Sequence, residues 1–328
     1  MMRFPGKTLV SAAALLALST LPSFAADKIV LRSSDTHPAD YPTVKAVEYM
    51  SDLLSQETKG RITIKVFPAA QLGEEKDTIE QTQFGVLDMD RVNLVPLNNI
   101  IPLTQVPSLP FLFSSVEQAR RVLDGPIGDE ILDSFADKGL IGLAFYDSGA
   151  RSFYNTVRPI KTLEDMKGLK IRVQQSDLMV GMVKALGANP TPMPFGEVYG
   201  ALQTGAIDGA ENNWPSYYST RHFEVAKYYS LSEHLMTPEV LMMSKKTWDK
   251  MSKDDQKLIR ATAKKSVLKM HELWEAQEKI AHDAVVKGGA QINTLDKEPF
   301  IQAMSSVYDQ YVTNAQMKDM IARIRATK

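Results

Sequence analysis

Two arginines stand where an α/β protein places side chains against a small anion. Arg172 lies inside the apolar run Leu169 to Val173, and Arg151 follows the apolar run Leu140 to Phe145, within Asp147-Ser-Gly-Ala-Arg-Ser-Phe-Tyr-Asn155. A charge within a strand must face solvent or meet a counter-charge. The planar fork of arginine takes a carboxylate through two parallel hydrogen bonds, which lysine cannot imitate. Lys170 and Arg172 share strand parity, so two solvent-facing cations are the plain alternative. A second group, Glu211-Asn212-Asn213-Trp214-Pro215-Ser-Tyr217-Tyr218, combines amides that read hydroxyls or carboxylates with aromatic faces that stack on sugars. A capped loop with core aromatics would look the same. Asp35 and His37 close the first apolar run, and Arg91 and Asn93 lie on the third. A lone histidine such as His37 is more often structural than a ligand.

Composition narrows the chemistry. The chain has 328 residues with 44% hydrophobic and 23% charged positions, an ordinary globular composition with length for about two domains. Lys and Arg number 38 against 39 Asp and Glu, so no cationic excess exists for nucleic acid. There is no cysteine, which removes disulfides, thiolate zinc sites and thiol catalysis. No nucleophile elbow, phosphate loop or dinucleotide fingerprint occurs. The five histidines lack close metal-ligand spacing, and the zincin-like start His271-Glu272 has Glu275 where a second histidine is needed. No cofactor, metal or catalytic residue is expected.

These residues need elements to position them. Arg3 and Lys7 precede an uncharged apolar run from Thr8 to Leu21 and a small-residue exit at Ser23 to Ala26, the pattern of an export signal cleaved after Ala25, with Ala26 as the alternative. Beyond it, Lys28 to Arg32 reads as a strand, Val44 to Leu54 as a helix stopped by Gly60, and Arg61 to Phe67 as an alternating strand. A helix from Glu74 to Gly85 and a strand from Val86 to Leu94 follow, an order that predicts parallel pairing. Strands at 140–145 and 169–173 and helices at 177–186 and 197–203 repeat the theme, with a further strand entered at 206–209. Ser252-Lys-Asp-Asp255 caps a periodic apolar pattern running to Gly288-Gly289. A helix of roughly 35 residues is about 50 Å long and crosses more than one small domain.

Three segments carry a family resemblance: Gly149 to Asn155; Pro159-Ile-Lys-Thr-Leu-Glu-Asp-Met-Lys-Gly-Leu-Lys-Ile-Arg-Val173; and Leu186-Gly-Ala-Asn-Pro-Thr-Pro-Met-Pro-Phe-Gly-Glu-Val-Tyr-Gly-Ala-Leu-Gln-Thr-Gly-Ala-Ile-Asp-Gly209. The chain resembles the DctP-type substrate-binding subunits of tripartite ATP-independent periplasmic (TRAP) transporters. The resemblance implies an α/β, two-lobed periplasmic binding protein of type II-like fold, each lobe a sheet flanked by helices, with a long helix spanning both. Residues 26–148 with 238–277 form the expected first lobe and 149–237 with 278–328 the second. It implies a ligand carboxylate on Arg172 with help from Arg151 and Asn212. The chain departs from the usual Glu-Asn-Pro by running Glu211-Asn212-Asn213-Trp214-Pro215, which leaves Asn212 and Asn213 as alternatives and places Trp214 at the pocket rim or wall. In the first lobe Asp35, His37, Glu74 and Arg91 fall in segments that set ligand choice, and Glu239 joins them as a further partner for ligand hydroxyls.

Carboxylates opposite a diacid would repel it, so the favoured ligand is a hydroxylated monocarboxylate; Ser34-Asp-Thr-His-Pro38 with Glu211-Asn-Asn-Trp214 resembles relatives that take hexuronates, which implies D-glucuronate or D-galacturonate. The alternative is a C4-dicarboxylate with Arg91 as its second anchor. The expected role is capture by lobe closure in the periplasm and delivery to TRAP permease subunits, as a monomer, without catalysis. The rivals are a secreted sugar-acid hydrolase or lyase using Asp35, His37 and Glu74, and an extracytoplasmic sensor on the same fold.

Overall fold

The computed structural model describes residues 1–2 and 27–327. The expected export signal and its cleavage point therefore fall outside the described residues. The strands are β1 (Ile29–Asp35), β2 (Ile62–Phe67), β3 (Met89–Asn93), β4 (Leu140–Tyr146), β5 (Arg151–Asn155), β6 (Lys170–Val173), β7 (Asn189–Pro192), β8 (Gly209–Asn212), β9 (Tyr228–Leu235), β10 (Glu239–Ser244) and β11 (Gln291–Asn293). The α-helices are α1 (Pro42–Glu57), α2 (Glu75–Phe84), α3 (Val116–Leu123), α4 (Pro126–Asp133), α5 (Asp177–Ala185), α6 (Val198–Thr204), α7 (Trp214–Ser219), α8 (His222–Val225), α9 (Lys245–Trp248), α10 (Lys253–Lys287), α11 (Glu298–Ala303), α12 (Ser305–Tyr311) and α13 (Ala315–Ala326).

Two mixed sheets result. The first runs β2-β1-β3-β10-β4 and the second β11-β9-β5-β8-β6-β7. In the first, β1 pairs parallel with β2 and with β3, as the alternation of strands and helices requires. Strand β10 then arrives from far along the chain and inserts antiparallel between β3 and β4. All six of its residues, Glu239 to Ser244, are buried, so it carries no two-residue alternation. The sequence reading separated neither β10 nor β9. It also left Arg151 after a strand, whereas Arg151 opens β5, a strand buried at every position.

The segments 147–150 and 236–238 carry the chain between the sheets, and α10 makes a third crossing. This helix spans Lys253–Lys287, 35 residues, and Ser252 Oγ caps it by accepting from the Asp255 amide at 3.1 Å. Ile259, Ala263, Val267, Met270 and Trp274 pack with the first sheet and α1, while Val285 packs with aromatics of the second. Leu268 and Ile280, part of the apolar pattern read from sequence, face outward. The crossing at 147–150 runs against the helix so closely that a Cβ on Gly149 (φ +56°) would sit 3.0 Å from Trp274 Nε1. Helix α12 touches the second sheet's α5 through the Tyr311 hydroxyl, which donates to Asp177 O at 2.6 Å. Helix α13 instead lies against α3 and α4, where Gln118 donates to Ile324 O and Arg323 pairs with Glu130 at 2.7 Å. Among the described residues no helix is long and apolar enough to cross a membrane.

Candidate functional site

The edges of the two sheets face each other across a narrow polar cleft, placed between two lobes as small-molecule sites often are. From the first sheet Thr36, His37, Glu75, Asn93 and Glu239 line it. From the second come Arg151, Arg172, Gln174, Phe195, Asn212 and Ser216. Cross-cleft contacts hold the halves together: Tyr41 Oη lies 2.9 Å from Ser216 Oγ, Asn98 Nδ2 donates to Ser176 Oγ at 3.2 Å, and His37 meets the edge of Phe195. His37 also stacks on Tyr41 with ring centroids 3.7 Å apart, and Tyr41 meets Trp274 of α10 edge-on. Burial, and then the charges of Arg91 and Arg151, push the His37 imidazole well below its ordinary pKa, so it is neutral.

Three buried arginines surround this space, with three different environments. Arg91 donates to both oxygens of Asp35, with Nε to Oδ2 at 2.7 Å, and to Glu239 Oε2 at 2.6 Å. Asp35 further accepts from the His37 amide and the Thr43 hydroxyl. Arg151 forks onto Glu211 at 2.6 and 2.8 Å and gives Nη1 to Asn212 Oδ1 at 2.8 Å. Arg172 has no carboxylate partner among the described residues. Its Nε and Nη2 both donate to Met193 O, at 3.1 and 2.8 Å, and its guanidinium lies 6.0 Å from the Phe195 ring centre. Desolvation accordingly lowers the Arg172 pKa from its ordinary value, whereas at Arg151 the Glu211 carboxylate outweighs burial and raises it. Burial and the charge of Arg172 pull His222 down to about 3, and burial takes His234 to about 4, so both are neutral. The cavity thus presents one arginine with no carboxylate bonded to it among the described residues.

The profile of bacterial extracellular solute-binding protein family 7, DctP, matches residues 33–314. The chain belongs to this family. A TRAP periplasmic solute-binding protein of Xanthobacter autotrophicus Py2, solved with bound β-D-galacturonate, is 58% identical and superposes with a TM-score of 0.89, covering 91% of this chain and 100% of that one. A TRAP periplasmic solute-binding protein of Pseudomonas putida F1, solved with bound D-glucuronate, is 41% identical with a TM-score of 0.89, covering 92% and 98%. A solute-binding protein of Chromohalobacter salexigens is 44% identical over 306 residues, 92% of this chain and 91% of that one.

Of the residues the sequence singled out in this family 7 protein, Arg172, Arg151, Asn212, His37 and Glu239 line the cavity together. Four others stand back from it. Asp35 and Arg91 form a buried ion pair behind the wall, with Arg91 closed off by Asp35 and Glu239. Asn213 caps α7, accepting from the Ser216 amide at 2.8 Å and donating to Ser148 O at 2.8 Å. Trp214 is not at the pocket rim. As first residue of α7 it turns away and stacks on Tyr229 at 3.9 Å, with His282 of α10 edge-on at 5.1 Å. Glu74 sits at the cavity mouth opposite Gly196, and its neighbour Glu75 takes the place inside. The sequence reading missed Glu75, Gln174, Phe195 and Ser216. Glu74 is the extended N-cap of α2 and Glu75 its first helical residue, a boundary one residue off the helix start read from sequence.

Proposed function

We propose that this protein is a periplasmic carrier for a hexuronate, with D-galacturonate as the first ligand to test. The observation that carries the reading is the Arg172 guanidinium, bonded to no carboxylate among the described residues and facing a cavity whose opposite wall holds Glu75, Asn93, Glu239 and His37. The sugar carboxylate seats on Arg172, with Arg151 Nη1 and the Asn212 amide beside it, and the hydroxyls meet the first-sheet wall. The galacturonate-bound relative is also the more similar of the two uronate-bound structures, at 58% against 41% identity. Contacts to both walls exist only when the cleft is closed, so ligand shifts the protein toward the closed form. The closed form is then recognised by TRAP permease subunits.

The lobes of this reading divide as 26–148 with 238–277 and 149–237 with 278–328, and α13 reaches back across to α3 and α4. The exported chain is cleaved after Ala25 and works as a monomer. A C4-diacid is disfavoured because Arg91, its required second anchor, is already saturated by Asp35 and Glu239. A hydrolase or lyase is disfavoured because Asp35, His37 and Glu74 do not converge: Asp35 is tied behind Arg91 and Glu74 lies at the mouth. Thermal shift against galacturonate, glucuronate, succinate and malate tests the reading. Ligand that binds only the native state stabilises it by about 4 kcal/mol at a thousandfold excess over Kd. Stabilisation by a uronate that disappears in Arg172→Met is the expected result; stabilisation by the diacids alone overturns it.

A further inference from the structure

We propose that Glu75 is the proton-bearing ligand contact of the cleft, engaging the sugar as a neutral carboxylic acid, so that capture of the uronate takes up one proton from solvent. The inference rests on the hexuronate reading above and adds to it a stoichiometry and a residue.

Hydrogen-bond accounting identifies Glu75 among the carboxylates around the cavity. Asp35 accepts from Arg91, Thr43 and the His37 amide. Glu211 accepts the fork of Arg151. Glu239 accepts from Arg91 at 2.6 Å, Asn93 Nδ2 at 3.0 Å and Ser148 Oγ at 3.1 Å. Glu75 accepts one backbone amide, that of Asn93, at 2.7 Å on Oε1. Its nearest cation, Arg91 Nη1, is 3.7 Å away and already committed to Glu239. No protein donor meets Glu75 Oε2 among the described residues, and the side chain keeps 13% exposure in a group that lines the cavity.

Charge balance points the same way. Three guanidinium groups, Arg91, Arg151 and Arg172, face four carboxylates, Asp35, Glu75, Glu211 and Glu239. The groups around Glu75 are Arg91 and Asp90 on β3, Glu239 on β10, Asp35 and His37 at the end of β1, Arg172 on β6, and Glu74 and Lys76 on its own segment. Burial holds Asp90 well above its ordinary range, so it adds no charge. Burial first, and repulsion from Glu239 second, lift the Glu75 carboxyl to about 7, against the lowering pull of Arg91, the Asn93 amide and Arg172. A ligand carboxylate that seats on Arg172 consumes one of those opposing pulls and brings a further negative charge into the same enclosed space. Proton uptake at Glu75 relieves both. The step is balanced by solvent alone: one proton binds the carboxylate, and the resulting O–H donates to a ligand oxygen.

Calorimetric titration of the full exported protein with D-galacturonate, between about pH 5.5 and 8.5 in buffers of different ionisation heat, tests this. Expected are a flat affinity below about pH 7, a loss approaching tenfold per pH unit above it, and an uptake approaching one proton at the alkaline end. Glu75→Gln, which keeps the acceptor for Asn93 and cannot titrate, abolishes the uptake and flattens the pH dependence of binding. Glu239→Gln removes the repulsion and moves the midpoint to lower pH, a readout independent of whether the Glu75 variant folds. Wild-type binding without proton uptake, undiminished uptake in Glu75→Gln, or an unmoved midpoint in Glu239→Gln overturns the proposal. Absence of binding to any hexuronate at any pH instead overturns the hexuronate reading beneath it.

Discussion

Arg91 and Arg172 are equally hidden from solvent, at 1% and 3% exposure, yet the two halves of the cleft use them oppositely. On the first sheet Arg91 is enclosed by Asp35 and Glu239, two carboxylates brought from sequence distances of 56 and 148 residues. On the second sheet Arg172 rests on the carbonyl of Met193 with no carboxylate bonded to it among the described residues, Glu211 and Glu75 acting on it only from a distance. A buried cation with its charge balanced in the fold is a framework piece, because removing it strands the anions it faced. A buried cation without balance is held at a cost that an incoming anion relieves. Burial alone does not tell the two apart; the partner inventory does.

The sharpest test of this contrast is stability. Arg91→Met leaves Asp35 and Glu239 buried and unpaired and is expected to destabilise the protein by about 3–5 kcal/mol, read as a lower urea midpoint. Arg172→Met is expected to leave that midpoint unchanged or raised; equal losses in both would dissolve the distinction. In ligand binding the order reverses, with Arg172→Met costing about 2–5 kcal/mol of galacturonate affinity by calorimetry. Next comes pH. The ordinary value for Glu75 is 4.5 and the folded value about 7, so between these the folded state keeps a proton that the unfolded chain has released. Stability must therefore fall as pH rises through that window, by up to about 3 kcal/mol, and Glu75→Gln should flatten the profile of urea midpoint against pH. The smallest effect concerns the mouth. A Cβ on Gly196 would come 2.5 Å from Glu74 Oε1, so Gly196→Ala must push the tip of that side chain aside when the walls meet. We expect a cost near the low end of the ~1–3 kcal/mol typical of overpacking, seen as weaker binding with an unchanged melting temperature. Adding Glu74→Ala should restore the affinity.

The same contrast explains what could be read from the chain beforehand. The long helix was legible because its signals are local: the Ser252 cap, acidic residues in the first turn and the glycine pair after Lys287. The parallel run β2-β1-β3 followed from element order, and Arg172 stood out as charge inside an apolar strand. What escaped depends on distant pairing. Strand β10 is defined by β3 and β4 on either side of it, and nothing within its own six residues announces that. Arg91 read as a ligand contact, or as anchor for a second carboxylate, because its partners Asp35 and Glu239 lie far off in sequence. Trp214 read as a pocket aromatic because the turn made by the Asn213 cap, which swings it onto Tyr229, is a property of three-dimensional packing. The slip from Glu75 to Glu74 is one residue at a helix start, where the extended cap gives way to the first helical residue.

The aromatic contacts beside the cavity give the molecule an optical consequence. His37 lines the ligand space and stacks on Tyr41, whose hydroxyl reaches Ser216 across the cleft and whose edge meets Trp274. The indole N–H of Trp274 is buried without a hydrogen-bond partner among the described residues, tight against Gly149 in one of the segments that join the two halves. Any rotation of one half against the other passes through the immediate surroundings of that indole. Its emission is thus a label-free record of opening and closing, built into the crossing itself.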